Sequence, residues 1–178
     1  MEKRRSIGRA DPSTIRRYAL SRLHAPSMRV YEASIKYQLV SSLPAARVLN
    51  SAALVAEYMR GAFDESPVQE SVWVIAVNRR NKPIARSMVT LGTSTSTLVA
   101  PSDVFRYLIL QAATGFILSH NHPSGDPSPS AADIQLTRAM REAANMMQIT
   151  FLDHVIIGDA SDDPLQRGYY SFREAGLI

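Results

Sequence analysis

Two of the chain's four histidines stand two positions apart, in a segment whose residue types are suited to binding a metal ion. Side chains at positions i and i+2 of a β-strand point to the same side, so the imidazoles of His120 and His122 can converge on one ion. Asp133 follows in a Ser-x-x-Asp sequence that begins at Ser130. The proline and glycine residues before Ser130 favour a sharp bend, which would return Asp133 towards the two histidines.

The expected ligands indicate which metal would be bound and for what purpose. Two imidazole nitrogens and a carboxylate oxygen leave one position of a tetrahedral zinc site open for water, as is typical of catalytic zinc. Because the chain contains no cysteine, cuprous copper is disfavoured, whereas ferrous iron and manganese also accept these ligands. Ser-x-x-Asp is by itself an ordinary helix capping box, but its conjunction with the paired histidines favours a metal site. We therefore predict catalytic zinc at His120, His122 and Asp133.

The spacing of apolar residues predicts the elements that would position these side chains. Alternating or β-branched runs of apolar residues predict strands, and the first two strands would form a hairpin. Apolar residues at helical spacing predict helices, and Ser102 would cap the second helix. The expected strands cover 70–78, 83–91, 115–119, 149–157 and 169–172, and the expected helices cover about 50–61, 102–113 and 130–147. This order predicts an α/β sheet with helices packed on its faces.

The basic character of the chain is concentrated near its N-terminus. Residues 1–30 carry eight lysine and arginine side chains against two acidic ones, a net charge of +6, whereas the remaining residues carry a net charge of −2. We predict a basic N-terminal arm over 1–49, partly helical or disordered, with a short helix over about 12–23 and a strand over 31–40. Such an arm can contact nucleic acid through phosphates, and a solvated leader segment is the alternative interpretation.

Composition excludes several classes of protein. With 46% hydrophobic and 20% charged residues, the chain is typical of a globular protein rather than a disordered one. No apolar run approaches the roughly 20 residues of a membrane-spanning helix, and the basic N-terminus lacks the apolar segment of a secretory signal. We therefore expect no membrane contact and, given the absence of cysteine, a cytoplasmic location.

Three stretches of the sequence resemble a known family. The run Ile-Leu-Ser-His-Asn-His-Pro-Ser-Gly-Asp-Pro-Ser-Pro-Ser over 117–130, with 152–158 and 170–177, resembles the RadC family of JAMM (JAB/MPN) metallopeptidase-like domains. The resemblance covers about 50–178, which we predict to be one domain. Full-length members of that family usually carry a helix-hairpin-helix-like region before this domain, and residues 1–49 do not resemble it.

The resemblance implies a fold, a reaction and roles for individual residues. The fold would be a curved, mostly antiparallel sheet flanked by helices, with layering similar to that of cytidine deaminases. The reaction would be zinc-dependent hydrolysis of an amide or isopeptide bond in a protein or peptide. Zinc would be held by His120, His122 and Asp133, Glu70 would act as general acid and base, and Ser130 would stabilise the oxyanion.

Alternatives remain for the function and for several residues. The chain could instead be a protein associated with DNA repair or nucleic acid, or a metal-stabilised binding module without turnover. Glu57 and Glu65 lie near Glu70 in the sequence and are alternative bases. Asp126 is best interpreted as the cap of a turn, with a second ion or the substrate as other possible partners. His154 is expected to be a hydrogen-bonded core residue or a neighbour of a ligand rather than a fourth ligand.

Overall fold

The computed structural model describes residues 48–92 and 99–178. The predicted helix over 12–23, the predicted strand over 31–40 and nearly all of the basic arm lie outside the described residues. Within the described ranges the chain forms three helices and five strands. In chain order they are α1 (Ala52–Met59), β1 (Ser71–Val77), β2 (Pro83–Leu91), α2 (Pro101–Leu110), β3 (Gly115–Asn121), α3 (Ala131–Met147), β4 (Thr150–Ile157) and β5 (Tyr169–Ser171).

The strands form one sheet in the order β2-β1-β3-β4-β5. Only the β3–β4 pair is parallel, and the other three pairings are antiparallel. The helix α3 provides the crossover that a parallel pair requires. The order of elements predicted from the sequence is therefore confirmed, and the mostly antiparallel mixed sheet agrees with the fold that the family resemblance implies.

Apolar clusters cover both faces of the sheet. On one face α2 and α3 pack on the strands in a cluster that includes Phe105 of α2, Met140 of α3 and Phe116 of β3. On the other face α1 packs through residues that include Met59, which lies against Ile117 and its neighbours. Because alternate residues of β3 contribute to opposite clusters, this central strand is buried at every position. The side chains at its end are thus placed by a rigid, fully covered part of the fold.

The structure corrects the predicted bounds of the helix α2. Ser102 was expected to cap this helix, but the N-cap is Ala100, whose side chain makes no capping hydrogen bond, and Pro101 occupies the first turn. Proline suits that position because its fixed φ is already helical and its missing N–H would have no intrahelical partner. The helix ends at Leu110 rather than near Ala113, since Ala112 adopts a φ of 50°.

None of the helices in the described part of the chain combines the length and apolarity needed to cross a membrane.

Candidate metal centre

The strand β3 carries the first histidine of the candidate site and leads directly to the second. It continues two residues beyond the predicted end at Ser119, so that His120 lies within the strand and is fully buried. His122 follows the strand, and its backbone N–H donates to the carbonyl of Ile157 at 2.8 Å. This bond continues the pairing with β4, and the two imidazole centroids lie 5.0 Å apart.

The N-terminus of α3 places the aspartate beside the histidines. Ser130 is the N-cap, as predicted, and its hydroxyl oxygen accepts a hydrogen bond from the backbone N–H of Asp133. In return, Oδ2 of Asp133 accepts from the backbone N–H of Ser130 at 2.8 Å and from its hydroxyl at 2.6 Å. The capping box is therefore complete, and it leaves Oδ1 of Asp133 directed at His120, 3.1 Å from Nε2.

The three predicted ligands converge on one point. Nε2 of His120 lies 3.1 Å from Nε2 of His122, which in turn lies 3.5 Å from Oδ2 of Asp133. One ligand atom of each residue lies within 4.8 Å of the ligand atoms of the other two. The structure therefore brings His120, His122 and Asp133 together as a group that can hold a metal ion.

The hydrogen bond on the far side of His122 indicates that this group suits a cation. Nδ1 of His122 lies 2.8 Å from the carbonyl oxygen of Asp126, and a carbonyl oxygen can only accept a hydrogen bond. Nδ1 of a neutral His122 therefore carries the hydrogen, and Nε2 directs an electron pair towards the carboxylate of Asp133. An imidazole electron pair facing a carboxylate is a favourable arrangement only with a proton or a metal ion between them.

Burial and the neighbouring groups shift the pKa values at this site in opposite directions. Burial raises the pKa of Asp133, but the stronger combined effect of hydrogen bonds from His120, His122 and Ser130 holds that pKa well below its ordinary value. Burial lowers the pKa of His122, but the hydrogen bonds that the protonated ring makes to Asp133 and Asp126 outweigh it and raise the pKa. The carboxylate therefore stays ionised, as a metal ligand must be.

Glu70, the predicted base, lies close enough for its charge to raise the pKa of His122. Its backbone carbonyl accepts a hydrogen bond from Gly92 at 2.8 Å. Glu57, one of the alternative bases, is exposed and lines a cleft of about 800 Å³ that extends from His122. The charge of Glu70 therefore acts on one histidine of the metal-binding group.

Asn121, the residue between the histidines, contributes to the site in a way that the sequence did not suggest. Its Oδ1 accepts from the backbone N–H of Ser71 at 2.8 Å and from the hydroxyl of Ser71 at 3.2 Å. Its Nδ2 donates to the carbonyl of Gln69 at 3.0 Å. The amide therefore binds the backbone on both sides of Glu70. No signal in the sequence links residue 121 with residues 69–71.

Two other predicted residues have defined contacts. Oδ1 of Asp126 accepts from the backbone N–H of Ser128 at 2.8 Å, which confirms that Asp126 caps a turn. His154 is fully buried, and its Nε2 lies 2.9 Å from Nδ1 of His120. Both interpretations of His154 hold, since it is a hydrogen-bonded core residue and also the direct neighbour of a predicted ligand. Burial lowers its pKa well below the ordinary value.

Comparison with known proteins gives the family model described as the RadC-like JAB domain, which matches residues 49–177. A UPF0758 protein of Chlorobaculum parvum is 41% identical over 133 residues, covering 74% of this chain and 56% of the relative. A UPF0758 protein of Desulforudis audaxviator is 44% identical over 109 residues, covering 61% of this chain and 45% of the relative. The chain thus spans about half the length of the curated relatives it matches.

Proposed function

We propose, from the premise that the chain belongs to the RadC-like JAB domain family, that it is a zinc-dependent hydrolase acting on an amide or isopeptide bond. The observation that carries this proposal is the convergence of two imidazoles and a carboxylate, with their ligand atoms within 4.8 Å of one another. Three protein ligands of this kind leave a position for water or substrate, which separates catalytic from structural zinc.

The chemistry divides between the ion and the chain. Zinc, when bound by His120, His122 and Asp133, supplies a Lewis acid that activates water near neutral pH and polarises a carbonyl. Glu70 accepts the proton of the attacking water and passes it to the leaving amine. Support for this role comes from the effect of the Glu70 charge on the pKa of His122, and from the hydrogen bonds that Asn121 makes on either side of Glu70.

Ser130 is the proposed donor to the oxyanion, a role that requires a change in its hydrogen bonding. The hydroxyl carries one hydrogen, which it donates to Oδ2 of Asp133 at 2.6 Å. In this arrangement Ser130 orients the carboxylate, and a donation to substrate requires rotation of the hydroxyl away from it. Replacement of Ser130 by alanine therefore reports on both roles, since the first affects metal affinity and the second affects only turnover.

The cleft beside His122 is the proposed route for the substrate. It has a volume of about 800 Å³ and lies between α1, the segment that follows it and the loop after β4. Its lining includes both acidic and basic side chains, together with the rings of Phe63 and Tyr169. A mixed lining of this type suits a polypeptide, which presents backbone amides and varied side chains, better than a uniformly anionic ligand.

Metal reconstitution followed by activity measurements tests the proposal. The purified chain should retain about one zinc per molecule after reconstitution, and His122→Ala should lose it because one of the three ligands is removed. Zinc-loaded protein should cleave members of a peptide and isopeptide library. Glu70→Gln should keep its zinc and lose about 10²- to 10⁴-fold in turnover, the usual contribution of a general base. Glu142→Gln, at an exposed position of α3 outside the cleft, is the control and should keep both.

Two results would contradict this function. A wild-type chain that retains no zinc after reconstitution has no catalytic zinc site. Bound zinc with no hydrolysis of any library member, and with identical behaviour of wild type and Glu70→Gln, would identify a metal-stabilised binding module instead.

We also propose a nucleic-acid contact through the basic arm, on the basis of its net charge of +6 over residues 1–30. Each phosphate neutralised by a lysine or arginine adds about 0.9 to the slope of log affinity against log salt. DNA binding by the full chain should therefore weaken steeply with salt, and deletion of residues 1–30 should abolish most of that dependence. Binding that survives the deletion with the same slope would contradict the proposed contact.

A further inference from the structure

We propose that Thr137 and His154 form a hydrogen-bonded pair that fixes the tautomer of His120, so that Nε2 of His120 presents an electron pair to the metal ion. This inference rests on the metal site of the proposed function and adds two positioning residues to it. Neither residue contacts the ion. They act through His120. Its Nδ1, on the side of the ring away from the predicted metal site, faces His154, whereas Nδ1 of His122 faces a backbone carbonyl.

The direction of the hydrogen bonds is set at Thr137. This residue lies in α3, is almost fully buried, and its hydroxyl donates to the backbone carbonyl of Asp133 at 2.7 Å. Hydrogen bonding from a threonine to the carbonyl four residues earlier is common within helices. With the one hydrogen of the hydroxyl directed at this carbonyl, the hydroxyl oxygen is left as an acceptor for a further partner.

That further partner is His154. Its Nδ1 lies 2.7 Å from Oγ1 of Thr137, and since the hydroxyl oxygen accepts, Nδ1 carries the hydrogen. His154 is fully buried, and burial disfavours a charged imidazolium. A neutral imidazole that carries its hydrogen on Nδ1 has a bare electron pair on Nε2. The acceptor side of His154 thus faces His120.

The same reasoning assigns the tautomer of His120. Nδ1 of His120 lies 2.9 Å from the bare Nε2 of His154, so Nδ1 donates and carries the hydrogen. Nε2 of a neutral His120 is then free of hydrogen, and it is this nitrogen that lies 3.1 Å from both His122 and Asp133. If these hydrogen bonds all ran in the opposite direction, a hydrogen would lie on Nε2 of His120, the nitrogen that must bind the metal.

Packing holds His154 in the position that this role requires. Its ring stacks on Phe172 with centroids 4.8 Å apart and an interplanar angle of 10°. Its backbone carbonyl accepts from the N–H of Phe172 at 3.0 Å. The stack fixes the plane of the ring, and within that plane only the present orientation places one nitrogen against Thr137 at 2.7 Å and the other against His120 at 2.9 Å. Partners of this kind, which orient a ligating histidine and fix its tautomer, commonly change metal affinity by about 10- to 100-fold when removed.

Two substitutions at Thr137 separate the hydrogen bond from the packing. Thr137→Val keeps the size and β-branching of the side chain but removes the hydroxyl, whereas Thr137→Ser keeps the hydroxyl and removes the methyl group. We expect Thr137→Val to weaken Zn²⁺ binding by about 10- to 100-fold, measured on the full chain by competition with a chromophoric chelator. Thr137→Ser should bind Zn²⁺ within about threefold of wild type. Equal weakening by both variants, or none by Thr137→Val, would overturn the inference.

A second measurement reads the tautomer directly and needs neither zinc nor turnover. The metal-free full chain is labelled with ¹⁵N-histidine, and long-range proton–nitrogen spectra identify which ring nitrogen of each histidine carries a hydrogen. For His120 we expect the hydrogen on Nδ1 in wild type and Thr137→Ser, and a mixture of tautomers in Thr137→Val. A wild-type His120 whose Nδ1 carries no hydrogen would refute the assignment.

The two measurements distinguish failure of this inference from failure of the proposed function. If the wild-type chain does not bind Zn²⁺, the proposed hydrolase is refuted, and the spectra of the metal-free protein decide the inference alone. If wild type binds Zn²⁺ but cleaves nothing, the affinities of the Thr137 variants still apply. A purely structural role of Thr137 would change the unfolding midpoint of the metal-free protein without changing the tautomer of His120.

Discussion

The substitution Asn121→Ala is predicted to uncouple the metal site from the segment that carries Glu70. In the register between β1 and β3, the last paired residues are Val72 and His120. Beyond this point the amide of Asn121 takes over, and it bonds Ser71 and Gln69 at 2.8 and 3.0 Å. Truncation to alanine removes both bonds and the bond to the hydroxyl of Ser71 at the same time.

The cost of this truncation follows from the burial of the groups left behind. Ser71 is 3% exposed, and a buried N–H that loses its acceptor costs about 1–3 kcal/mol. The carbonyl of Gln69 belongs to a half-buried residue, so water can replace its donor and the cost there stays below about 1 kcal/mol. We expect Asn121→Ala to lower the free energy of unfolding by about 1–4 kcal/mol in total.

The effect on function should exceed the effect on zinc binding. None of the three predicted ligands is removed, so the dissociation constant for Zn²⁺ should change by less than about tenfold, below the usual cost of losing a group that orients a ligand. Turnover should fall by about 100-fold, because a base displaced by about 1 Å loses that much. Urea unfolding of the metal-free protein, chelator competition and hydrolysis of the library substrate measure the three quantities.

Asn78→Ala is the matched control, since Asn78 also accepts from two backbone N–H groups, at 2.9 and 3.2 Å, but in the exposed turn after β1. Water can replace its side chain there, so the loss should stay below about 1 kcal/mol. An unfolding free energy for Asn121→Ala no lower than that of Asn78→Ala would refute the reasoning. So would a loss of zinc affinity as large as the loss of turnover.

Three further predictions concern the loops and carboxylates around the site. A Cβ on Gly158 would collide with the carbonyl of Gly125 and lie 2.9 Å from the nitrogen of Pro127, so Gly158→Ala should displace the 123–129 loop, cost about 1–3 kcal/mol in unfolding free energy and weaken Zn²⁺ binding. Backbone hydrogen bonds lower the pKa of Asp163, so its stabilising effect is present above the unfolded-state pKa and is lost as the pH falls through the folded-state pKa. Asp163→Asn should reduce this loss of unfolding free energy at acid pH, and an unchanged dependence of the unfolding free energy on pH would contradict the prediction. Burial raises the pKa of Asp153, so the unfolding free energy declines as the pH rises from the unfolded-state pKa through the folded-state pKa. Asp153→Asn should remove this decline and leave the loss of unfolding free energy at acid pH, which is assigned to Asp163, unaltered.

Local patterns in the sequence were sufficient for the elements and for the group that can bind metal. The β-branched run over 70–78, the turn residues after it and the second strand over 83–91 specify a hairpin, because a short apolar run bounded by turn residues is typical of a buried strand. The Ser130 cap specifies the start of α3 because its oxygen satisfies an N–H that the helix leaves unpaired. Since His120 and His122 lie at the end of a strand and Asp133 in the first turn of a helix, local rules already place their side chains.

The groups that support the site depend on contacts that no local rule specifies. Asn121 bonds residues about 50 positions earlier in the chain, and Thr137 meets His154 17 positions later. These pairs form only because the sheet places β1 and β4 on either side of β3, and strand order is set by the packing of all helices together. The predicted start of α2 at Ser102 is wrong for a local reason, because Pro101 is suited to the first helical position and the helix begins there without a side-chain cap.

The alternation of side chains along β3 accounts for the composition of the tripeptide His120-Asn121-His122. The two histidines share one side of the chain and reach the carboxylate presented by α3. The residue between them necessarily points elsewhere, and in this structure it bonds the start of β1 on either side of Glu70. The end of this strand therefore carries the two predicted histidine ligands and also holds the segment that bears the predicted base. Asn121 holds the segment beside Glu70, whereas Thr137 acts on His120 through His154. Substitutions at Asn121 and at Thr137 should therefore affect different steps, the first the placement of the base and the second the binding of zinc.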